Sequence, residues 1–158
     1  MKSMLSGVLV RGMALLWACL ALSVAHADDL QTKVLGNWLT APKDGIIQVS
    51  VASDGTLQGK IVGGDSPGKL DSKNPDQAKR TAVLRGQVIM QGLKYEGEGK
   101  WSGGTIYDPN SGSTYKCKIE LRTDGTLKVR GFIGFSLLGK TQEWTRYTGT
   151  SMDLPKAK

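Results

Sequence analysis

The chain has 158 residues, a formal net charge of +7, one histidine and two cysteines. That length suits a single domain whose core stands without disulfide staples. The histidine, His26, and one cysteine, Cys19, fall in an N-terminal segment that reads as removable. Ser-His-Asp and Cys-His hydrolases, the usual zinc sites and an intramolecular disulfide are therefore excluded from the mature chain.

Lys2 and Arg11 supply positive charge, Met13 to Val24 is an apolar run, and Ala25-His26-Ala27 has the small-x-small form of a cleavage site. This order predicts a secretory signal peptide over residues 1–27, cleaved after Ala27, because the run is too short to span a membrane. A lipoprotein signal acylated at Cys19 is the competing reading. Bulky Trp17 and the interruption by Arg11 speak against it. The expected location is the periplasm, or further out by secretion. Removing Lys2 and Arg11 takes the charge from +7 to +5 and leaves Cys117 as the mature thiol. In that compartment basic charge would meet lipopolysaccharide, phospholipid head groups or cell-wall polymers rather than nucleic acid. The cations are scattered singly among apolar residues, the pattern of a solvated sheet face rather than a binding stripe.

The mature chain opens with Asp28 to Leu35, one or two helical turns with acids first, Leu30, Val34 and Leu35 on one side, and Gly36 as the stop. From there the period changes. Ile47, Val49 and Val51 alternate with polar residues, Ser53-Asp54-Gly55 turns, and Leu57, Gly59 and Ile61 alternate again. Gln87 to Leu93 is a more continuous apolar strand, and Lys100 to Tyr107 is another, ending in the turn Asp108-Pro109-Asn110-Ser111-Gly112. From Thr114 to Arg122 the pattern is clearest, with Tyr115, Cys117, Ile119 and Leu121 on one face and Lys116, Lys118, Glu120 and Arg122 on the other. Thr123-Asp124-Gly125 turns into Leu127 and Val129. A Gly-bounded apolar segment, Phe132 to Leu138, precedes the last strand, Lys140 to Tyr147. That segment reads as a bent core strand or as an exposed rim marking a membrane or ligand entrance.

About eight short strands joined mostly by hairpins predict an all-β, up-and-down antiparallel β-barrel over residues 28–149, with a short N-terminal helix and a flexible C-terminal tail over 150–158. The long connection, residues 63–82, reads as a lid, a binding loop or disorder. Its Gly63-to-Lys69 stretch has the spacing of a phosphate loop, but Leu70 stands where a hydroxyl is required, so a turn-rich surface loop is expected. Asp108 to Gly112 lacks the closing glutamate of a calcium loop and reads as a hairpin turn. Glu96 and Glu98 read as solvent-facing rather than as a catalytic pair.

Gly36-Asn37-Trp38, Lys73-Asn74-Pro75, Trp101-x-Gly103-Gly104, Ile106-Tyr107-Asp108-Pro109, Tyr115, Arg130-Gly131-Phe132-Ile133-Gly134 and Gln142-x-Trp144-Thr145-Arg146 occur in this order. In these motifs, over nearly all of the mature chain, the sequence resembles the bacterial exported family catalogued as domain of unknown function 2147. The resemblance implies a lipocalin-like barrel and no particular activity. Lipocalins carry a Gly-x-Trp on the first strand and an arginine on the last that stacks on the indole. Trp38 and Arg146 stand at the matching positions. The second lipocalin motif, an acid and tyrosines in a mid-chain loop, is missing, so lipocalin ligands do not carry over.

The reading that follows is a non-enzymatic periplasmic binding protein holding a small apolar or amphipathic ligand in its barrel. Trp101, Tyr115, Arg130, Phe132 and Trp144 are the ligand-binding candidates, with Arg130 or Lys116 facing an anionic head group. Trp38 and Arg146 form a structural closing pair, Asp71 and Asn74 are loop candidates, and no catalytic residue, metal or cofactor is expected. Peripheral contact with a membrane or envelope anions is. The alternative is an envelope structural or interaction protein with a filled barrel, binding a protein partner through the 63–82 loop. A modest enzyme would have to draw on Asp71, Asp108, Tyr115 or Arg130.

Overall fold

The computed structural model describes residues 29–134 and 137–156; the expected signal segment, with Cys19 and His26, lies outside them. The strands are β1 Gly36–Leu39, β2 Gly45–Val51, β3 Leu57–Gly64, β4 Val88–Gly97, β5 Lys100–Asp108, β6 Ser113–Leu121, β7 Leu127–Phe132 and β8 Gly139–Arg146. They follow one another in space as in sequence and close into an antiparallel barrel, with β8 returning to β1 through Trp38↔Arg146 and Leu39↔Thr145. Closure pairs every strand with a neighbour on both sides and leaves little edge open to edge-to-edge association.

Alternation sets which way each strand faces. On β6, Cys117 and Ile119 are buried while Lys116 and Lys118 are exposed; on β7, Leu127 and Val129 are buried and pair with Trp144 and Gln142 of β8. The same turn chemistry serves twice, in the β2–β3 and β6–β7 turns. Asp54 Oδ1 accepts from the Thr56 amide and hydroxyl, at 3.0 and 2.7 Å, and Asp124 Oδ1 accepts from those of Thr126, at 2.9 and 2.6 Å. These bonds favour the carboxylate, so both aspartates sit below the ordinary carboxylate pKa.

The expected strand at Gln87 to Leu93 extends to Gly97. Met90 and Leu93 are both fully buried although they are three residues apart, which strict alternation forbids. Gly92, φ 74°, lies where the register between β3 and β4 shifts, and Gly103 on β5, φ 78°, lies where the register between β5 and β6 shifts. Bulges of this kind bend the sheet toward closure. Beyond them Tyr95 packs on Trp101, ring centroids 5.0 Å apart.

One end of the barrel is solid. Residues 29–33 form the helical turn, closed by the Asp29–Lys33 ion pair at 2.6 Å, and fully buried Val34 packs with Trp38, Trp101, Leu93 and Leu127. The Trp38 indole N–H donates to the Val34 carbonyl at 2.9 Å, satisfying the polar edge of a fully buried ring.

Of the long connection expected over 63–82, Gly63 and Gly64 belong to β3 and the rest is part of an ordered loop over 65–87. Leu70 bridges Val83, the Asp71 amide donates to the Ala82 carbonyl at 2.9 Å, and Gln77–Lys79 forms a 3₁₀ turn capped by Asp76. The segment expected as a flexible tail is bonded to β3, with Gly64 donating to the Met152 carbonyl at 2.9 Å and accepting from the Leu154 amide at 3.0 Å. A free strand edge attracts whatever backbone lies near it, and composition alone does not reveal that edge.

Candidate functional site

The other half of the barrel is hollow. A cavity of about 640 Å³ opens between the β1–β2 turn, the 65–87 loop, the β5–β6 turn and the β7–β8 hairpin. That volume lies within the range of roughly 300–1,000 Å³ typical of small-molecule sites. Ile47, Ile61, Ile89, Ile106, Val129 and Trp144 form its apolar wall. Polar groups gather at the mouth, among them Thr40, Asp44, Lys69, Arg85, Asn110 and Lys140. An apolar shaft with a polar, mixed-charge collar suits a molecule with an apolar body and a polar end.

Of the five ligand-binding candidates, Tyr115, Phe132 and Trp144 line the cavity. The Trp144 indole N–H donates to Gln142 Oε1 at 2.8 Å, so its polar edge is already satisfied. Among the described residues the Tyr115 hydroxyl has no hydrogen-bond partner, which leaves it available to an occupant. Phe132 sits at the rim with the Lys118 ammonium 6.0 Å from its ring centroid.

Trp101 and Arg130 do not line the cavity. Trp101 belongs to the packed end, where Tyr95 covers it. Arg130 is on the outer face of β7, donating to Thr141 Oγ1 at 2.7 Å and to the Leu137 carbonyl at 3.3 Å. Position along the barrel axis decides Trp101, which faces inward at the packed end; alternation decides Arg130, which neighbours inward Val129 and so points out, as Lys116 does on β6. The outer face carries a mixed charge ladder, including Lys128–Glu120 at 3.8 Å, as expected of a solvated sheet face. Glu96 and Glu98 are exposed there too.

The Phe132–Leu138 segment, so far as it is described, is a rim. Ile133 and Leu138 are largely exposed at the cavity mouth. A filled barrel, the premise of the interaction-protein alternative, is not what the inward residues build, because their combined bulk fills one end only.

Asp71 is the one fully buried charged side chain among the described residues. Its Oδ1 accepts from the Tyr107 hydroxyl at 2.6 Å and its Oδ2 from Asn74 Nδ2 at 2.7 Å, while the Asn74 amide donates to the Asp71 carbonyl at 2.9 Å. Asp71 and Asn74 therefore pin the loop to β5 and do not touch the cavity. Tyr107 connects the two, since its ring lines the cavity and its hydroxyl meets Asp71. Burial, the bond to Asp71 and that residue's charge together push the Tyr107 pKa up to about 12. Gly112 lets the β5–β6 turn nest against this loop, for a Cβ there would lie 2.0 Å from the Lys73 carbonyl oxygen and its φ is 75°.

Of the four side chains named for an enzyme, Asp108 and Tyr115 border the cavity and the other two do not. Asp71 is sealed behind the cavity wall, and Arg130 is outside the barrel. The Asp108 carboxylate is engaged by the Asn110 amide at 2.9 Å and the Ser111 hydroxyl at 2.9 Å, the hairpin turn expected of that stretch. Cys117 is buried, and burial pushes its thiol up to about 12, so it behaves as a small hydrophobe.

Residues 36–146 match the family described as "Uncharacterized protein conserved in bacteria (DUF2147)". The chain belongs to this family. No curated protein matches it. Among solved structures, it is similar to a protein from the human pathogen Helicobacter pylori described as belonging to the lipocalin family. That match has a TM-score of 0.65 and 20% identity, covering 72% of this chain and 82% of the other. At that identity the likeness concerns the fold, a lipocalin-like barrel. Fold alone does not transfer a ligand.

The aromatic and arginine residues of the motifs that carry the resemblance divide by role in this structure. Trp38, Arg146 and Trp101 build the solid end; Tyr107, Tyr115 and Trp144 surround the hollow one. Sequence reasoning overlooked Ile47, Ile61, Ile106 and Val129 as wall residues, although alternation had already turned three of them inward. Distance from the packed end is what separates wall from core. The Asp71–Tyr107 contact carries no sequence signal, since 36 residues part them.

Proposed function

We propose that this protein is a non-enzymatic binding module of the bacterial envelope that holds a small apolar or amphipathic molecule in its barrel. The observation that carries the reading is the one-ended cavity of about 640 Å³, apolar within and polar at the mouth. Burying an apolar body there removes it from water at roughly 25 cal/mol per Å² of apolar surface, and the polar collar keeps the other end solvated. The lipocalin-like fold supports the same reading, as an architecture able to enclose one small ligand. Export rests on the order of charge, apolar run and small-x-small site in residues 1–27. A periplasmic form beginning at Asp28 is the corresponding expectation, read by N-terminal sequencing of that fraction.

Native mass spectrometry of protein purified under mild conditions from its own envelope fraction tests the binding reading. A discrete extra mass, lost on denaturation and absent from a folded Ile106→Trp variant whose indole fills the cavity, is the expected result. An apo mass, combined with unchanged tryptophan fluorescence across a panel of fatty acids and lipid extracts, would overturn it.

A further inference from the structure

β3 outlasts its partner. Its regular pairing with β4 stops at Lys60↔Val88, and two more backbone bonds, Ile61 to Gln87 at 2.9 Å and Gly86 to Ile61 at 2.7 Å, finish the seam. Past that point β3 continues to Gly64, held by β2 through Gly45↔Gly64 and open on its other side. Residues 151–154 fill this short edge. Gly64 donates to the Met152 carbonyl and accepts from the Leu154 amide, a parallel bridge centred on Asp153. The Asp153 carboxylate meets Arg85 Nη2, which also donates to the Met152 carbonyl at 3.3 Å. A Cβ on Gly63 would lie 2.2 Å from the Met152 carbonyl oxygen, so the edge has room for backbone and none for a side chain of its own.

We propose that Gly63, Gly64 and Arg85 form a strand-addition site for an extended peptide carrying an Asp or Glu at its centre, with residues 151–154 of this chain as its resident occupant. Two features set the site apart from its occupant. The edge and Arg85 lie inside the 36–146 segment that matches the family, whereas the occupant lies outside it. The hold is also modest: two backbone bonds, a 3.3 Å bond from Arg85 to the Met152 carbonyl, a bond from the Tyr147 hydroxyl to the Ser151 carbonyl, and an ion pair whose aspartate is 64% exposed, of the kind that contributes little against water and salt. The occupant stays because a short tether from Arg146 keeps its local concentration high. Recognition follows the general logic of strand addition, in which backbone bonds supply affinity and a side-chain contact, here Arg85 to a carboxylate, supplies selectivity. Gly63, Gly64 and Arg85 also line the cavity, so an incoming peptide would dock on its wall.

The test uses a chain ending at Gly149 and a fluorescent peptide with the sequence of Thr150–Lys156. The shortened chain, its barrel verified by circular dichroism, is expected to bind the peptide saturably, and the full chain at least about tenfold more weakly. A peptide with lysine in place of the aspartate is expected to bind several-fold more weakly, and Gly63→Val in the shortened chain to abolish binding. If the shortened chain does not fold, the full-length Asp153→Lys variant takes its place and is expected to bind the free peptide more tightly than the unaltered chain. Absence of saturable binding by the folded chain tested overturns the proposal. So does equal affinity for the altered and unaltered chains, or for the aspartate and lysine peptides.

Discussion

The guanidinium carbon of Arg146 lies 3.9 Å from the centroid of the Trp38 ring. Its Nη1 donates to the Leu35 carbonyl at 2.7 Å and its Nη2 to the Lys33 carbonyl. One side chain on β8 thus holds the first strand and the helical turn that closes the barrel. Desolvation by these neighbours lowers its pKa, and the planar fork serves ring and carbonyls together.

Removing that fork costs stability. Arg146→Ala is expected to lower unfolding free energy by about 1–3 kcal/mol, less than a stack and two charge-assisted bonds would contribute if buried, because solvent screens this exposed side chain. Arg146→Lys is expected to recover only part, because a compact ammonium cannot cover the indole and reach both carbonyls. Urea denaturation followed by tryptophan fluorescence measures both. A lysine variant as stable as the parent would show that charge alone holds the seam.

Asp71 anchors the long loop rather than a ligand. Asp71→Ala leaves the Tyr107 hydroxyl and the Asn74 amide without their acceptor and is expected to cost about 2–3 kcal/mol. Asp71→Asn keeps one acceptor but sets one amide N–H₂ against another, so its cost falls between. Hydrogen exchange of amides in residues 65–86 should quicken in both variants before the strands are affected. Loop amides as protected in Asp71→Ala as in the parent would contradict this role.

Tyr107 gives a pH dependence in the alkaline range. Its pKa rises from 10.0 to about 12 on folding, so the native state holds the phenolic proton more tightly than the unfolded chain. The stabilisation is fully present below the unfolded pKa and is lost as pH climbs through the folded one. Tyrosinate absorbance should show a late step near 12 that Tyr107→Phe removes. An unchanged titration curve in that variant would contradict the shift.

The strands and their faces were legible because alternation is a local property. Cys117 and Ile119 face inward because Lys116 and Lys118 face water, and no distant residue is needed to see it. The two Asp-Gly-Thr turns were legible for the same reason. Alternation was reset by a bulge, as at Gly92, and choosing site candidates by residue type misplaced Trp101 and Arg130. An aromatic ring or a cation carries no mark of how far along the barrel axis it sits.

The chain by itself determined a barrel of short antiparallel strands, an inward and an outward face for most of them, and an opening segment with the form of an export signal. Each of these depends on residues adjacent in sequence. Tertiary structure alone decided that one end is packed and the other hollow, since a cavity depends on the summed volume of side chains from every strand around the ring. It also decided that Asp71 finds Tyr107 and that residues 151–154 find the edge of β3. Those partners are separated by long stretches of chain, and only closure of the barrel brings them within hydrogen-bonding distance.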